Sequence, residues 1–479
     1  MKISFPVRIY LVALVLRLIP VLLTRGLGIG LDDMFQYDML ARSLASGDGY
    51  RWYAQDDLHL VQNYFETLDF QIPSDYDPRG VPTSFRPPLY PALLAGLYLL
   101  TGIGAGRFFV VRFVQAFLSA VLAPLTYLIA RKVFPENERA AKTAAWVIVF
   151  YPLLVIYPLS LATENLFFVL VLTTVLFLLI SNETRAAKHF IISGVLIGLS
   201  ALTRSVFLAF GGLTVLWVFF ALKERQKAIL LFLAAFIITL PWMVRNTFLH
   251  HQVTGIESAL GYDLYVGYHP ESTGTFQYGI SLDLMPYLDD GMRDEIGRTK
   301  ALGFILQDPA RVPYLAVRRL GYFFGLERRA LSFFYSNNFL GYLPKPWLLL
   351  IAFVVLTPFV VVSTSAVFGI SLMEWNIKTF LLALAMAGYL APHILILGED
   401  RFHLTLVPFL AILAAQFWMG GFRGISARWN GSFTGKVFIS LAVCGVILLF
   451  LNWGFELSRD ADKIAALLGP HGNKTFFPY

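Results

Sequence analysis

The chain has 479 residues, of which 57% are hydrophobic and only 14% are charged, and its mean hydropathy is +0.65. Soluble globular proteins carry about 25% charged residues, so this composition excludes an ordinary soluble domain and indicates a polytopic α-helical membrane protein. The net charge of +7 does not indicate a nucleic-acid partner, because Lys and Arg lie mainly in short segments between apolar runs. The single cysteine, Cys444, excludes an intramolecular disulfide.

Apolar runs of membrane-spanning length recur along the whole chain. We predict eleven spans, the first of them a retained anchor rather than a cleaved signal peptide. They cover residues 5–23, 108–130, 140–157, 165–180, 190–202, 206–222, 228–244, 347–368, 380–397, 404–419 and 437–455. The strongly basic loops then fall on one side, which the positive-inside rule makes cytoplasmic. We therefore expect a multi-pass protein of the cytoplasmic (inner or plasma) membrane with its N terminus inside.

Two long segments, residues 26–88 and 245–345, fall on the outer side in this count. With the spans they form one predicted transmembrane domain over 1–455, followed by a short outer tail at 456–479. The first outer loop is acidic, with ten carboxylates against four arginines. The apolar run from Leu89 to Thr101 is too short to span a bilayer, so we expect an interfacial helix there.

The stretch from Leu31 to Tyr50 opens the first outer loop with two adjacent acids, Asp32 and Asp33. Apolar residues spaced at i, i+3, i+4 and i+7 predict a short amphipathic helix after them, and glycines close it. These residues are Tyr37, Leu40, Ala41 and Leu44, followed by Gly47 and Gly49. One acid is explained as the N-cap of this helix. The second is then a candidate general base for a hydroxyl acceptor, and a divalent cation held by the pair stays open.

Glu164 and several arginines lie at the predicted outer ends of spans. Glu164 is either a first-turn acid favoured by the helix dipole, with Thr163 as the cap, or a group that faces Asp33. The arginines run against the inside bias for positive charge, and they are Arg86, Arg107, Arg112, Arg204 and Arg401. Because guanidinium forks suit phosphate oxygens, their gathering on the acidic side predicts an anion site. Arg17, inside the first span, is explained by an ion pair or by snorkelling.

Common catalytic signatures are absent from the sequence. It contains no phosphate-binding GxxxxGK[ST] loop, no GxSxG, no HExxH and no CxxC pair. His250 and His251 are the only close histidine pair, and adjacent positions on a regular element face apart, which disfavours a metal site there.

Taken together, these residues resemble the membrane glycosyltransferases of the GT-C superfamily, in the branch that holds the protein O-mannosyltransferases and the aminoarabinose lipid A transferase. The branch begins its first outer loop with an acidic motif, then a Tyr and an Ala-Arg helix, which Asp33, Tyr37 and Ala41-Arg42 match. Further similar segments are Arg86-Pro87-Pro88-Leu89-Tyr90, Thr163-Glu164, the residues before Arg204, Pro241-Trp242 through Arg245-Asn246, and Arg401-Phe402 before Pro408.

The resemblance implies a GT-C fold and a polyprenyl-phosphate-linked sugar as donor, used on the outer face with inversion at the anomeric carbon. It singles out Asp33, in preference to Asp32, as the catalytic acid. Together with the residues at the span ends, this gives Asp33, Asp32 and Glu164 as candidate catalytic residues and Arg86, Tyr90, Arg112, Arg204 and Arg401 as candidate substrate-binding residues. The acceptor stays open among protein, glycan and lipid, and so does a divalent cation, which Asp32 and Asp33 could hold. Met34 stands where relatives of the aminoarabinose transferase place Glu, so that enzyme's particular substrates do not carry over.

Two other classes of protein remain as alternatives. A transporter or flippase for a lipid-linked or anionic solute would also use intramembrane arginines, but it predicts inverted repeats with broken helices in both halves. A structural membrane subunit would not need acids and arginines on one face. The glycosyltransferase hypothesis predicts that Asp33, Glu164 and the arginines line one cavity at the boundary of the outer leaflet, where a lipid phosphate lies.

Overall fold

Helices form nearly all of the regular structure in a computed structural model of the protein, which describes residues 3–30, 32–60, 74–336, 338 and 341–475. The α-helices are α1 (Phe5–Leu23), α2 (Asp33–Ala45), α3 (Leu89–Thr101), α4 (Arg107–Ala120), α5 (Leu122–Val133), α6 (Glu138–Phe150), α7 (Pro152–Ile156), α8 (Glu164–Thr184), α9 (Ala187–Thr203), α10 (Leu208–Leu216), α11 (Arg225–His250), α12 (Leu260–Tyr268), α13 (Tyr278–Ser281), α14 (Asp290–Gln307), α15 (Arg311–Phe323), α16 (Arg328–Ser336), α17 (Lys345–Leu372), α18 (Ile377–Leu395), α19 (Val407–Gly431), α20 (Phe433–Arg459) and α21 (Ala461–Leu467). Of the ten acids in the first outer loop, Glu66 and Asp69 lie outside the described residues, as do the last four residues of the tail.

Each predicted span coincides with a helix or a helix pair, but the count of eleven is not confirmed. Among the described residues, seven helices are long and apolar enough to cross a membrane, or eight if the pair α6–α7, bent by 56°, counts as one. The others are short or broken. Helix α9 has 17 residues, the run 206–222 divides into 3₁₀, α and π segments, and α19 is kinked at Gly421. Hydropathy alone does not register such breaks. The protein is an integral multi-pass membrane protein, and the apolar runs in its sequence outnumber the unbroken helices of spanning length among the described residues.

The helix α19 forms the centre of the bundle. Its first nine residues, Val407 to Ala415, are all buried, as expected for a helix that is apolar on every side. Close helix contacts elsewhere depend on small residues. A Cβ at Gly194 would lie 2.3 Å from the carbonyl oxygen of Leu231, so this Gly-xxx-Gly pair with Gly198 lets α9 approach α11. This contact fixes α9, which ends immediately before Arg204.

The predicted amphipathic helix of the first outer loop is present as α2, and both of its faces are packed. Met34, Tyr37 and Ala41 lie in one cluster with residues of α3, whose bounds are those of the predicted interfacial helix. The opposite side carries Phe35, Met39 and Leu40 against Tyr50, Trp52 and Phe85. Gly47 and Gly49 follow α2 with positive φ, which glycine adopts without strain. Packing on two sides makes α2 a rigid support for the acids at its N terminus.

The two long loops are joined at Ser84. A short antiparallel ladder, β1 (Arg51–Trp52) with β2 (Val81–Pro82), leads into this residue. Ser84 donates its backbone N–H to Asp290 at 2.9 Å and accepts the N–H of Ser258 at 3.0 Å. Its hydroxyl lies 2.7 Å from both His250 Nε2 and Ser258 Oγ. The 83–86 segment is therefore held by the second loop.

Candidate active site

The two acids at the start of α2 have different environments. Asp32 is the N-cap and accepts the backbone N–H of Met34 at 2.9 Å, as one reading of the sequence proposed. Asp33 is the first residue of the helix, and its carboxylate lies between two guanidinium groups. Arg86 Nη2 lies 2.5 Å from Oδ1, and Arg401 Nη2 lies 3.1 Å from Oδ2. Each oxygen of Asp33 therefore meets a different arginine.

Arg86 and Arg401 come from distant parts of the chain. Arg86 precedes the Pro87-Pro88 pair that starts α3, and it lies over the rings of Tyr37 and Phe85 at 5.5 and 5.2 Å. Arg401 lies in the 3₁₀ turn Asp400–Thr405 between α18 and α19. We call Asp33 with these two arginines the arginine clamp.

Glu164 and Arg204 form a second pair beside the clamp. Arg204 Nη1 lies 2.7 Å from Glu164 Oε1, and the Glu164 side chain is only 4% exposed. Glu164 begins α8 and Arg204 follows the end of α9, so both helix dipoles favour the pair. The predicted cap role of Thr163 is wrong, because its hydroxyl bonds the Glu164 carboxylate at 3.1 Å instead of a backbone N–H. Arg204 and Arg401 both lie over the ring of Phe402, at 5.2 and 5.5 Å from its centroid, which places the pair beside the clamp.

The arginines keep Asp33 ionised. Burial by itself favours the neutral acid, but Arg86 and then Arg401 outweigh it and hold the pKa of Asp33 well below its usual range. Asp263, on α12, behaves in the opposite way. Burial and the neighbouring Glu257 raise the pKa of Asp263 to about 7, despite the opposing effect of Arg86. The site thus holds one carboxylate that is firmly ionised and one that titrates near neutrality.

Four contributing side chains were not among the residues singled out from the sequence. Gln36 and Glu399 bind Arg86 and Arg401, while Glu257 and Asp263 come from the second long loop. Gln36 follows Asp33 by one helical turn, which is a signal that could have indicated it. Glu399 stands two residues before Arg401. Nothing in the local pattern of 257–263 indicates that it reaches the clamp.

Several predicted site residues lie away from the clamp. Arg112 was expected to bind substrate, but the structure gives it another role. It is buried and donates to the backbone carbonyls of Leu159 at 2.7 Å, Gly28 at 2.6 Å and Leu27. Its donors are therefore used in joining two loops. Arg107 binds Asp38 at 2.8 Å.

Tyr90 is also buried beneath the clamp rather than in it. Its hydroxyl donates to Gln115 at 2.6 Å and its ring meets Tyr37 edge-on, so it supports α2. Arg17 makes neither the ion pair nor the snorkelling contact expected of it. It is fully buried and donates to Ser119 at 2.9 Å and to two backbone carbonyls.

A divalent-cation site at Asp32 and Asp33 finds no further ligands in the part of the chain that the structure describes. No group of three or more His, Cys, Asp or Glu side chains is gathered there in a way that could hold a metal ion. His250 does not pair with His251 but bonds Ser84.

The family comparison matches residues 85–244 to the model described as Dolichyl-phosphate-mannose-protein mannosyltransferase. The matched segment includes Arg86, Glu164 and Arg204, whereas Asp33 and Arg401 lie outside it. No curated protein matches the chain.

Solved structures include similar folds at low identity. The archaeal oligosaccharyltransferase AglB from Archaeoglobus fulgidus, in complex with an inhibitory peptide and a dolichol-phosphate, is 15% identical with a TM-score of 0.48. That alignment covers 99% of this chain and 61% of AglB, so the chain spans less than two thirds of its length. ArnT from Cupriavidus metallidurans bound to undecaprenyl phosphate is 14% identical with a TM-score of 0.41, over 88% of this chain and 79% of ArnT. The family match covers about a third of the chain, and in residues 85–244 the chain is similar to the dolichyl-phosphate-mannose-protein mannosyltransferases.

Proposed function

We propose that the chain transfers a sugar from a polyprenyl-phosphate-linked donor to an acceptor hydroxyl on the outer face of the membrane, with inversion and with Asp33 as general base. The observation that carries the proposal is the arginine clamp. An ionised carboxylate lies between two guanidinium groups, at 2.5 and 3.1 Å, at the start of a rigid helix. A donor that ends in a lipid phosphate supplies an anion for the arginines and leaves the carboxylate free for the acceptor.

In the proposed reaction, the acceptor oxygen attacks the anomeric carbon and forms the new glycosidic bond. The bond from that carbon to the phosphate oxygen breaks, and polyprenyl phosphate leaves with the electron pair. The acceptor proton passes to Asp33. A single carboxylate suffices because the phosphate is already a good leaving group, so it needs no general acid.

The arginines would serve the leaving group. Charge develops on the phosphate as its bond to the sugar breaks, and donors that are already in place stabilise it most effectively. Arg86 and Arg401 each have Nη donors directed at the clamp, and Arg204 lies beside them. When the phosphate takes these donors, Asp33 loses the cations that lower its pKa and becomes a stronger base. Donor binding would thereby activate the base.

The distribution of positive charge supports placing this site on the outer face. Helix α8 begins at Glu164 beside the clamp and ends near Glu183 at the opposite end of the bundle. Glu183 pairs there with Lys132 at 2.5 Å and Lys378 at 2.8 Å. A basic far end is expected to be cytoplasmic, which leaves the clamp outside. The description of the matched family, which names a dolichyl-phosphate sugar, supports the class of donor.

The test is to incubate the purified protein with a panel of polyprenyl-phosphate sugars and with protein, glycan and lipid acceptors, with and without a chelator. We expect transfer from at least one donor with release of polyprenyl phosphate, and inverted configuration in the product by NMR. Movement of the lipid-linked sugar across a bilayer without transfer would instead support a flippase. Transfer from nucleotide-sugars alone would contradict the proposal.

A further inference from the structure

Each of the two arginines of the clamp is held by a hydrogen bond from its Nε to a side-chain oxygen. Arg86 donates from Nε to Gln36 Oε1 at 2.9 Å, and Arg401 donates from Nε to Glu399 Oε2 at 2.8 Å. In both cases Nη2 then reaches Asp33. Each guanidinium is thus anchored through Nε and presents its Nη side to the same point.

We propose that Gln36 and Glu399 are positioning residues, which orient Arg86 and Arg401 so that their Nη groups bind one phosphate together. The inference rests on the proposed function, since that phosphate belongs to the polyprenyl-phosphate donor. A long arginine side chain loses rotamer entropy when it is fixed. Anchoring Nε in the unliganded protein removes most of this cost from the binding step.

We call Gln36 and Glu399 the anchors. Glu399 is charged and Gln36 is neutral, and each suits the charges around it. The Glu399 side chain is only 4% exposed and lies between two cations, since Arg329 Nη1 approaches it at 3.0 Å as well as Arg401. A buried charge needs such partners. Arg86 already faces Asp33, Asp263 and Glu257, so the neutral amide of Gln36 supplies an acceptor without adding another negative charge.

The test replaces each anchor with a side chain that cannot accept a hydrogen bond. A hydrogen bond to a charged group contributes about 1.5–3 kcal/mol, and a tenfold change corresponds to about 1.4 kcal/mol. We therefore expect Gln36→Leu and Glu399→Leu each to raise the donor KM, and the inhibition constant of undecaprenyl phosphate, by about tenfold or more. The value of kcat should also fall, because the same guanidinium groups stabilise the departing phosphate, but by less than the loss of about 10²–10⁴-fold expected when the general base is removed. Glu399→Gln retains an acceptor oxygen for Arg401 Nε, so this variant should keep the donor KM closer to that of the wild type.

Glu183 offers a matched control. It lies 2.5 Å from Lys132 Nζ and 2.8 Å from Lys378 Nζ, so like Glu399 it is a carboxylate between two cations, but at the opposite end of α8 from Glu164. Glu183→Leu should leave the donor KM unchanged. Unchanged KM in both anchor variants, or an equal rise in Glu183→Leu, would overturn the inference. If Glu399→Leu does not fold, Gln36→Leu decides, because Gln36 is only partly buried.

Different results would refute the positioning role of the anchors and the proposed transfer reaction. Absence of transfer from every polyprenyl-phosphate sugar refutes the function, and stabilisation of the wild type by undecaprenyl phosphate then tests the anchors directly. A smaller thermal shift in Gln36→Leu than in the wild type supports positioning, and an equal shift refutes it. A wild type that neither transfers a sugar nor binds this lipid refutes both.

Discussion

Asp33 and Arg401 are 368 positions apart in the chain, and their side chains meet at 3.1 Å. One stands at the start of α2, and the other lies in the turn between α18 and α19. The contact therefore joins parts of the chain that meet only in the folded bundle. A loss of activity in a variant of this site has to be distinguished from a loss of stability.

Asp33→Asn should abolish transfer while the protein still folds. Loss of a general base costs about 10²–10⁴-fold in rate. Undecaprenyl phosphate should bind the variant at least as tightly as the wild type, because the carboxylate that competes for Arg86 and Arg401 is gone. Kinetic assays and thermal shifts with the lipid measure the two effects.

Asp32→Asn is the control for that variant. Asn caps a helix about as well as Asp, so stability and transfer should stay near those of the wild type. Near-normal transfer by Asp33→Asn, or an equal loss in Asp32→Asn, would remove Asp33 from the role of base.

Arg204→Met should destabilise the protein through Glu164. The substitution leaves a buried carboxylate without its cation, which costs about 3–5 kcal/mol. The double variant Glu164→Gln with Arg204→Met removes both charges and should recover much of the unfolding temperature. A double variant no more stable than Arg204→Met would show that the 2.7 Å pair contributes little.

Arg112→Lys should affect stability and not donor affinity. A lysine cannot reproduce the fork that donates to Leu159, Gly28 and Leu27, and each lost charged hydrogen bond costs about 1.5 kcal/mol or more. We expect a lower unfolding temperature with the donor KM unchanged in the folded protein. A raised KM at unchanged stability would return Arg112 to the binding site.

The affinity for the donor should depend on pH through Asp263. Burial and Glu257 raise the pKa of Asp263 to about 7, so this carboxyl is neutral below that pH and anionic above it. The added negative charge opposes phosphate binding, and the donor KM should therefore rise as the pH increases through 7. The Asp263→Asn variant should flatten that rise. Parallel profiles for the two proteins would exclude Asp263 as the titrating group.

The parts of the site that depend on short-range structure could be predicted from the local sequence pattern. The spacing of Tyr37, Leu40, Ala41 and Leu44 predicted an amphipathic helix directly after the two acids, and the structure has that helix as α2. Five arginines at span ends were expected to gather around the acids. Arg86, Arg204 and Arg401 do so, whereas Arg107 and Arg112 do not. Their roles in binding and catalysis remain predictions.

Long-range structure explains what the pattern did not show. Arg112 occupies a similar position at a span end, but it meets backbone carbonyls, and sequence cannot distinguish a carbonyl partner from a carboxylate. Glu399 and Gln36 are recognisable as anchors only once Arg401 and Arg86 are in place. The break of the 206–222 run into three kinds of helix turn is not visible in its hydropathy. The kink at Gly421 has a local cause, because its positive φ is one that glycine adopts without strain. The division into a domain at 1–455 and a tail stays a prediction.

Ser84 connects the two long loops two residues before Arg86. The second long loop thus helps to fix the backbone that carries Arg86. A substitution at Asp290 or Ser258 can shift the position of Arg86 without altering any side chain of the clamp. Donor affinity in this protein would then vary with residues that lie outside the clamp.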